Sequence, residues 1–313
     1  MSIVIVLVRR LTGALLTMVA SSFAVFGAMY LAPGDITDVL IGGDASPEAI
    51  AAARAEYHLD DPFVVQYWHW LERVLHGDLG VSPIFQVPVV DLIGPRLVNS
   101  LWLVGLATLI VVVGGIVLGT LVGLRPNRLG RAILGLAAAG VAVPPFVAGV
   151  LLLALFSVQL GWFPTLGGGE GVLDRLYHLA LPALALATPI VAYVINVTAA
   201  EVATEAEREH VETARSRGIP NRIVTRRHIV RNALIPVTTA TGLAAASMIA
   251  GGAVIEVAFG INGVGSYLVQ AVHQRDIVVV QGIALLLVLS FVLVSMLIDV
   301  LYAVIDPRAV ART

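Results

Sequence analysis

Six long apolar stretches run through the chain, separated by polar segments of very different character. They cover Leu11 to about Ala32, Leu101 to Leu124, Ile133 to Phe156, Leu179 to about Ala199, Val237 to Val257 and Ile283 to Ile305. Each approaches or exceeds the roughly 20 residues that an α-helix needs to cross a bilayer core. The first follows Arg9-Arg10, is longer than the apolar region of a signal peptide, and meets no small-x-small cleavage pattern before Pro33-Gly34-Asp35. It reads as an uncleaved span. Glycines recur in the second (Gly105, Gly114, Gly115, Gly119, Gly123). Gly115 and Gly119 have the G-x-x-x-G spacing that permits close helix approach, although glycine is common in membrane helices generally. Pro144-Pro145 interrupts the third. A proline pair removes backbone donors and predicts a kinked helix, either lining a pathway or serving only as a bend. Pro182 and Pro189 lie in the fourth.

Two polar segments stand out. Residues 33–98 carry ten acidic residues against three arginines, Arg54, Arg73 and Arg96. Within them Ser46-Pro47-Glu48 has the order of an N-cap, a first-turn proline and a first-turn acid. Asp61-Pro62 opens a second helix signal, with Val64, Trp68, Leu71 and Leu75 spaced for one apolar face and Gly77 at its end. A small cap on the outer surface and an aromatic belt at headgroup level both fit this pattern. The other segment is Glu201 to Pro236, the longest charged run, which holds seven of the nineteen basic residues (Arg208, Arg215, Arg217, Arg222, Arg226, Arg227, Arg231). Acidic residues crowd Glu201 to Glu212, as suits a helix N-terminus. Gly218 is a helix stop, and Pro220 fits the first turn of another helix. The pattern predicts helix, sharp turn, helix. It serves either as a docking knob or as a solvated loop whose charges set topology.

Arginine placement orients the six spans. With both termini inside, fourteen arginines fall on the inner side and five (Arg54, Arg73, Arg96, Arg175, Arg275) on the outer side. Composition agrees with an all-α integral membrane protein: 58% of residues are hydrophobic and 13% charged. Cysteine is absent, so thiolate chemistry and disulfides are excluded. Lysine is absent as well, since every basic residue is arginine. A P-loop needs its lysine on the nucleotide phosphates, so any ATP hydrolysis belongs to another subunit.

Candidate chemistry within the spans is sparse. Glu256 and Asp299 are the acids nearest to membrane depth. Both fall near span ends, where an acid is cheap to place, and no mid-span acid suggests a proton-coupled carrier. His69 and His76 share one helix face by spacing, without a supporting cluster of metal ligands.

The run Glu212-Thr-Ala-Arg-Ser-Arg-Gly218, followed by His228-Ile-Val-Arg-Asn-Ala-Leu-Ile-Pro236, resembles the EAA loop of ATP-binding-cassette importer permeases. It is most similar to the loop of the dipeptide/oligopeptide/nickel branch. Thr213 stands where the general motif has alanine. Ala32 to Asp35, Leu59 to Leu71 and Gly77 to Gly80 resemble the outer segments of peptide permeases. Pro144-Pro145-Phe146, Gly251 to Phe259, Gly263-Val-Gly265, Arg275 to Gly282 and Asp306-Pro307-Arg308 resemble later motifs of that family in the same order. Asn262 replaces a usual proline.

The resemblance implies a type I ABC importer-like permease. Residues 1–32 would form the N-terminal cytoplasmic end and first span, 33–98 a helical extracytoplasmic segment, and 99–313 the permease core with its coupling loop at 200–236. Glu212, Thr213, Ala214, Arg215, Arg217 and Gly218 would couple to an ATPase subunit, and Pro144, Pro145 and Phe146 would bend or line the pathway. The implied partners are a homologous second permease, two ABC ATPase subunits, an extracytoplasmic solute-binding protein and the lipid bilayer, with no nucleic acid. The implied solute is a di- or oligopeptide, or alternatively nickel, glutathione or another small solute. This chain would have no catalytic residues, bound metal or cofactor, with ATP and Mg on the ATPase subunits, in a bacterial inner membrane. A secondary carrier or channel working without ATP is the reading from a different class.

Overall fold

The computed structural model describes residues 3–31, 60–125 and 127–305, with isolated positions 46, 48, 51, 54 and 55. The expected Ala32 to Asp35 motif, Pro47 of the Ser46-Pro47-Glu48 cap and the Asp306-Pro307-Arg308 end lie outside the described residues. Among the described residues, eleven α-helices carry the fold: α1 (Ile3–Tyr30), α2 (Phe63–Leu75), α3 (Val89–Leu124), α4 (Arg128–Val141), α5 (Pro145–Leu152), α6 (Gly171–Ala206), α7 (Glu209–Ser216), α8 (Asn221–Ile223), α9 (Arg231–Ala258), α10 (Val264–Gln274) and α11 (Ile277–Ile305). Wide π-helical turns extend α5 through Gln159 and join α8 to α9 across Val224–Val230.

Five of these helical stretches are long and apolar enough to cross a membrane, and α4 with α5 makes a sixth candidate. The α4–α5 pair is bent by 111°, far beyond the expected kink. The prolines do not sit inside a helix. Pro144 is the extended N-cap of α5 and Pro145 its first residue, where a missing N–H costs nothing. Both arms of the pair pack against α6. Ala137 clusters with Ala192 and Ile195 of α6, whereas a Cβ on Gly149 would lie 3.6 Å from Ala185. Contacts therefore shift toward the start of α6 on passing from α4 to α5.

Helix α6 is the hub, packed against α3, α4, α5 and α9. Its alanines at 183, 185, 187, 192 and 199 leave room for neighbours, and all are buried. Along α3, Gly115, Gly119 and Gly123 form the closest seam. A Cβ on Gly115 would lie 2.5 Å from Val194, one on Gly119 2.5 Å from Thr198, and one on Gly123 2.7 Å from the Ala199 carbonyl. The two helices thus run parallel with backbones nearly touching, and the expected G-x-x-x-G contact extends by one more turn. The apolar core beside this seam gathers Leu103, Ala107, Val111, Leu186, Met248, Ile255 and Phe259.

Several boundaries differ from the sequence expectation. Helix α3 begins at Val89, α6 at Gly171 and α11 at Ile277, each well before the apolar run. Residues 264–274, between the fifth and sixth apolar runs, form α10. Its buried face (Val264, Tyr267, Ala271) packs with Val89, Ile93, Val279 and Ile283 in a second core. Residues 77–88 fold onto this layer: Ser82 donates its hydroxyl to the buried Asp276 carboxylate, which also accepts from the Val279 amide at 3.1 Å. In α2, Gln66, Tyr67 and Trp70 are buried, whereas Val64, Trp68 and Leu75 of the expected apolar face are exposed. Gly77 ends α2 with φ of +82°, as its sequence position implies.

Candidate functional site

The charged run folds into an elbow between two spans. Its acidic start is not one helix N-terminus: Glu201 and Glu205 belong to the last turns of α6, which ends at Ala206. Arg208 then adopts an extended conformation (φ −68°, ψ 142°) as the N-cap of α7. Within α7 the charges follow the helix dipole, with Glu209 and Glu212 in the first turn and Arg215 in the last.

The turn after α7 is a Schellman motif. The Ile219 amide reaches the Ala214 carbonyl at 3.2 Å and the Gly218 amide reaches Arg215 at 2.9 Å. Gly218 takes φ of +72°, the left-handed conformation that disfavours any residue with a Cβ. Pro220 is the N-cap of the next helix rather than part of its first turn. That helix is no short partner of α7, because it continues through the π-helical turn into α9.

A small apolar core fixes the elbow to the spans. Val211 and Ala214 of α7 meet Val202 of α6, Val224 and Ile229 of the π-helical stretch and Ala233 of α9. Of the expected coupling residues, Ala214 is therefore buried (4% exposed) and faces inward, while Glu212, Thr213, Arg215, Arg217 and Gly218 are exposed. The exposed side borders a groove of about 420 Å³ lined by Glu209, His210, Thr213, Arg217, Ile219 and His228.

Polar contacts tie the elbow at its base. Glu205, whose side chain is 13% exposed, faces Arg208 at 3.4 Å and His210 at 3.3 Å. It also accepts from Asn232 Nδ2 at 3.0 Å, and the same nitrogen donates to the His228 carbonyl at 2.9 Å. The carboxylate thus joins the end of α6, the start of α7 and the start of α9. Reasoning along the sequence missed this junction, since its members lie far apart in the chain.

The other expected residues do not converge on the elbow. Pro144 and Phe146 are exposed and Pro145 is half-buried at the α4–α5 break. Glu256 is buried (2% exposed) near the far end of α9. It receives the Ser100 hydroxyl at 2.5 Å and the Ser266 amide at 2.9 Å, and Ser100 accepts from the Val264 amide at 2.8 Å. This acid caps α10 and joins it to α3. The side chain of Asp299 lies outside the described residues. No group of three or more metal-ligating side chains occurs among the described residues.

Comparison with known proteins bears directly on this architecture. The profile of the family described as "Binding-protein-dependent transport system inner membrane component" matches residues 115–310. The profile of its N-terminal region matches residues 3–88. The chain is 35% identical over 301 residues to the glutathione transport system permease protein GsiC of Escherichia coli O6:H1, covering 96% of this chain and 97% of that one. It is 34% identical to the protein of the same name from Escherichia coli K12 over the same shares, and 35% identical to that of Salmonella choleraesuis, covering 96% of each chain.

Proposed function

The chain belongs to the family of binding-protein-dependent transport system inner membrane components, the permeases of ABC importers, and from that membership we propose that it forms one of two homologous membrane halves of an importer for small peptides or glutathione. The similar permeases carry glutathione in their name, which favours that solute, itself a tripeptide, over the di- and oligopeptides that the sequence motifs imply. A binding protein delivers the solute on the outer side, and two ATPase subunits work from the cytosol. The chain supplies no nucleotide chemistry of its own, in keeping with the absence of lysine.

The observation that carries this reading is the elbow. Helix α7 projects beyond the spans on the arginine-rich side, offers Glu212, Thr213, Arg215 and Arg217 outward, and is packed through Val211 and Ala214 onto both α6 and α9. A push on its exposed face reaches two spans at once. Closure of the ATPases would move α7, and α6 and α9 would carry that motion to the pathway in alternating access. ATP and Mg stay on the ATPase subunits.

Gly218→Trp tests the reading in the reassembled complex. The substitution breaks the left-handed turn and adds bulk where the glycine has open space around it. The expected result is six inserted spans with loss of solute-stimulated ATP hydrolysis. Unchanged transport by that variant contradicts the coupling role, and transport by the isolated chain along a gradient contradicts the importer reading.

A further inference from the structure

Helix α2 has three sectors where a soluble amphipathic helix has two. One faces α1: Phe63 packs on Phe23, Phe26 and Tyr30 with ring centroids 5.3, 5.5 and 4.9 Å apart, and Tyr67 lies 5.1 Å from Phe23. The Tyr67 and Ser22 hydroxyls share a hydrogen bond of 2.8 Å, and both residues are buried. At about 100° per residue, Val64, Trp68, Leu71 and Leu75 project into a second sector roughly 60° wide. Here Val64 is 67% exposed, Trp68 63% and Leu75 77%. His69 and Glu72 occupy the third sector, and Glu72 is exposed.

Depth identifies what covers the second sector. Ser22 lies eight residues before the Tyr30 end of α1, about 12 Å along the helix axis. Residues 11–28 of α1 form its membrane-crossing window. Tyr67, bonded to Ser22, is therefore held below the end of a membrane helix, and α2 lies at the level of one leaflet. Val19 and Phe23 of α1, each 45% exposed, continue the apolar surface beside it.

We propose that α2 is an interfacial helix whose stripe of Val64, Trp68, Leu71 and Leu75 is immersed in the phospholipid leaflet at the Tyr30 end of α1. Trp68 sits at the headgroup boundary, as tryptophan does in interfacial belts, and Glu72 faces water. The partner of this surface is lipid, and the helix anchors the first polar segment to the membrane plane. The inference requires only that α1 spans the bilayer and does not depend on the coupling role of α7.

The absence of cysteine makes the test direct. Single cysteines at Val64, Trp68, Leu75 and Glu72 are labelled with a nitroxide, and the chain is reassembled with its partner subunits. The complex is placed in vesicles of palmitoyl-oleoyl phosphatidylethanolamine and phosphatidylglycerol. Oxygen, which concentrates in lipid, is expected to relax the labels at 64, 68 and 75 far more than the water-soluble nickel chelate does, with the order reversed at 72. Labels at 64, 68 and 75 shielded from both reagents would mean that a protein surface covers the stripe. Labels there open to the nickel chelate would mean that it faces water. Either result overturns the proposal.

Discussion

Asn232 at the start of one membrane helix donates its side-chain amide to Glu205 at the end of another, 3.0 Å away, and the same carboxylate faces His210 of α7. The joint closes the base of the elbow. Charge-assisted hydrogen bonds of this kind contribute about 1.5–3 kcal/mol. Glu205→Ala should therefore lower the thermal stability of the purified complex modestly while reducing solute-stimulated ATP hydrolysis more than basal hydrolysis. A variant with both rates unchanged would show that the joint carries no load.

Gly218 gives a sharper local test. A left-handed conformation costs a residue with a Cβ about 1–2 kcal/mol. Gly218→Ala should loosen the Schellman turn without adding bulk, seen as faster hydrogen exchange at the Ile219 amide, which bonds to Ala214. Gly218→Asn should fall between the two, because asparagine tolerates this conformation better. Equal exchange in all three proteins would contradict the assigned turn.

The α3–α6 seam predicts a contrast between glycines of one helix. Gly119→Val would drive side-chain atoms into Thr198 and the Ile195 carbonyl, whereas nothing lies within 4 Å of a Cβ at Gly105. Overpacking costs about 1–3 kcal/mol. The Gly119 variant should melt well below the parent in detergent, and Gly105→Val should melt close to it. Differential scanning fluorimetry separates the two.

Asp276 predicts a defect on the opposite side. Its carboxylate caps α11 through the Val279 amide and accepts the Ser82 hydroxyl. Loss of a helix cap costs about 0.5–2 kcal/mol. Asp276→Ala should also release residues 77–88, measurable as new protease cleavage in that segment while the elbow stays resistant.

The legible parts of this molecule are those governed by local rules. Gly218 and Gly77 announce left-handed turns because few other residues adopt them, and the spacing of Gly115 and Gly119 announces a close seam. The proline pair marks a break but carries no angle, so the 111° bend depends on packing against α6. Helix α10 lies outside the apolar runs, although Val264, Tyr267 and Ala271 have the spacing of a buried helical face. In α2 the sequence offers two apolar sectors and nothing local says which one meets protein. The Glu205–Asn232 joint brings together residues 27 apart, with no pattern in either neighbourhood.

The outward face of α7 meets the ATPase subunit if the elbow couples the two. In the otherwise cysteine-free chain, Thr213→Cys carrying a short photo-activated crosslinker should, within the assembled complex, form a covalent adduct with the ATPase subunit. Modification of that cysteine by a membrane-impermeant maleimide added outside intact cells, with no ATPase adduct, would put the elbow on the wrong side of the membrane and contradict the account.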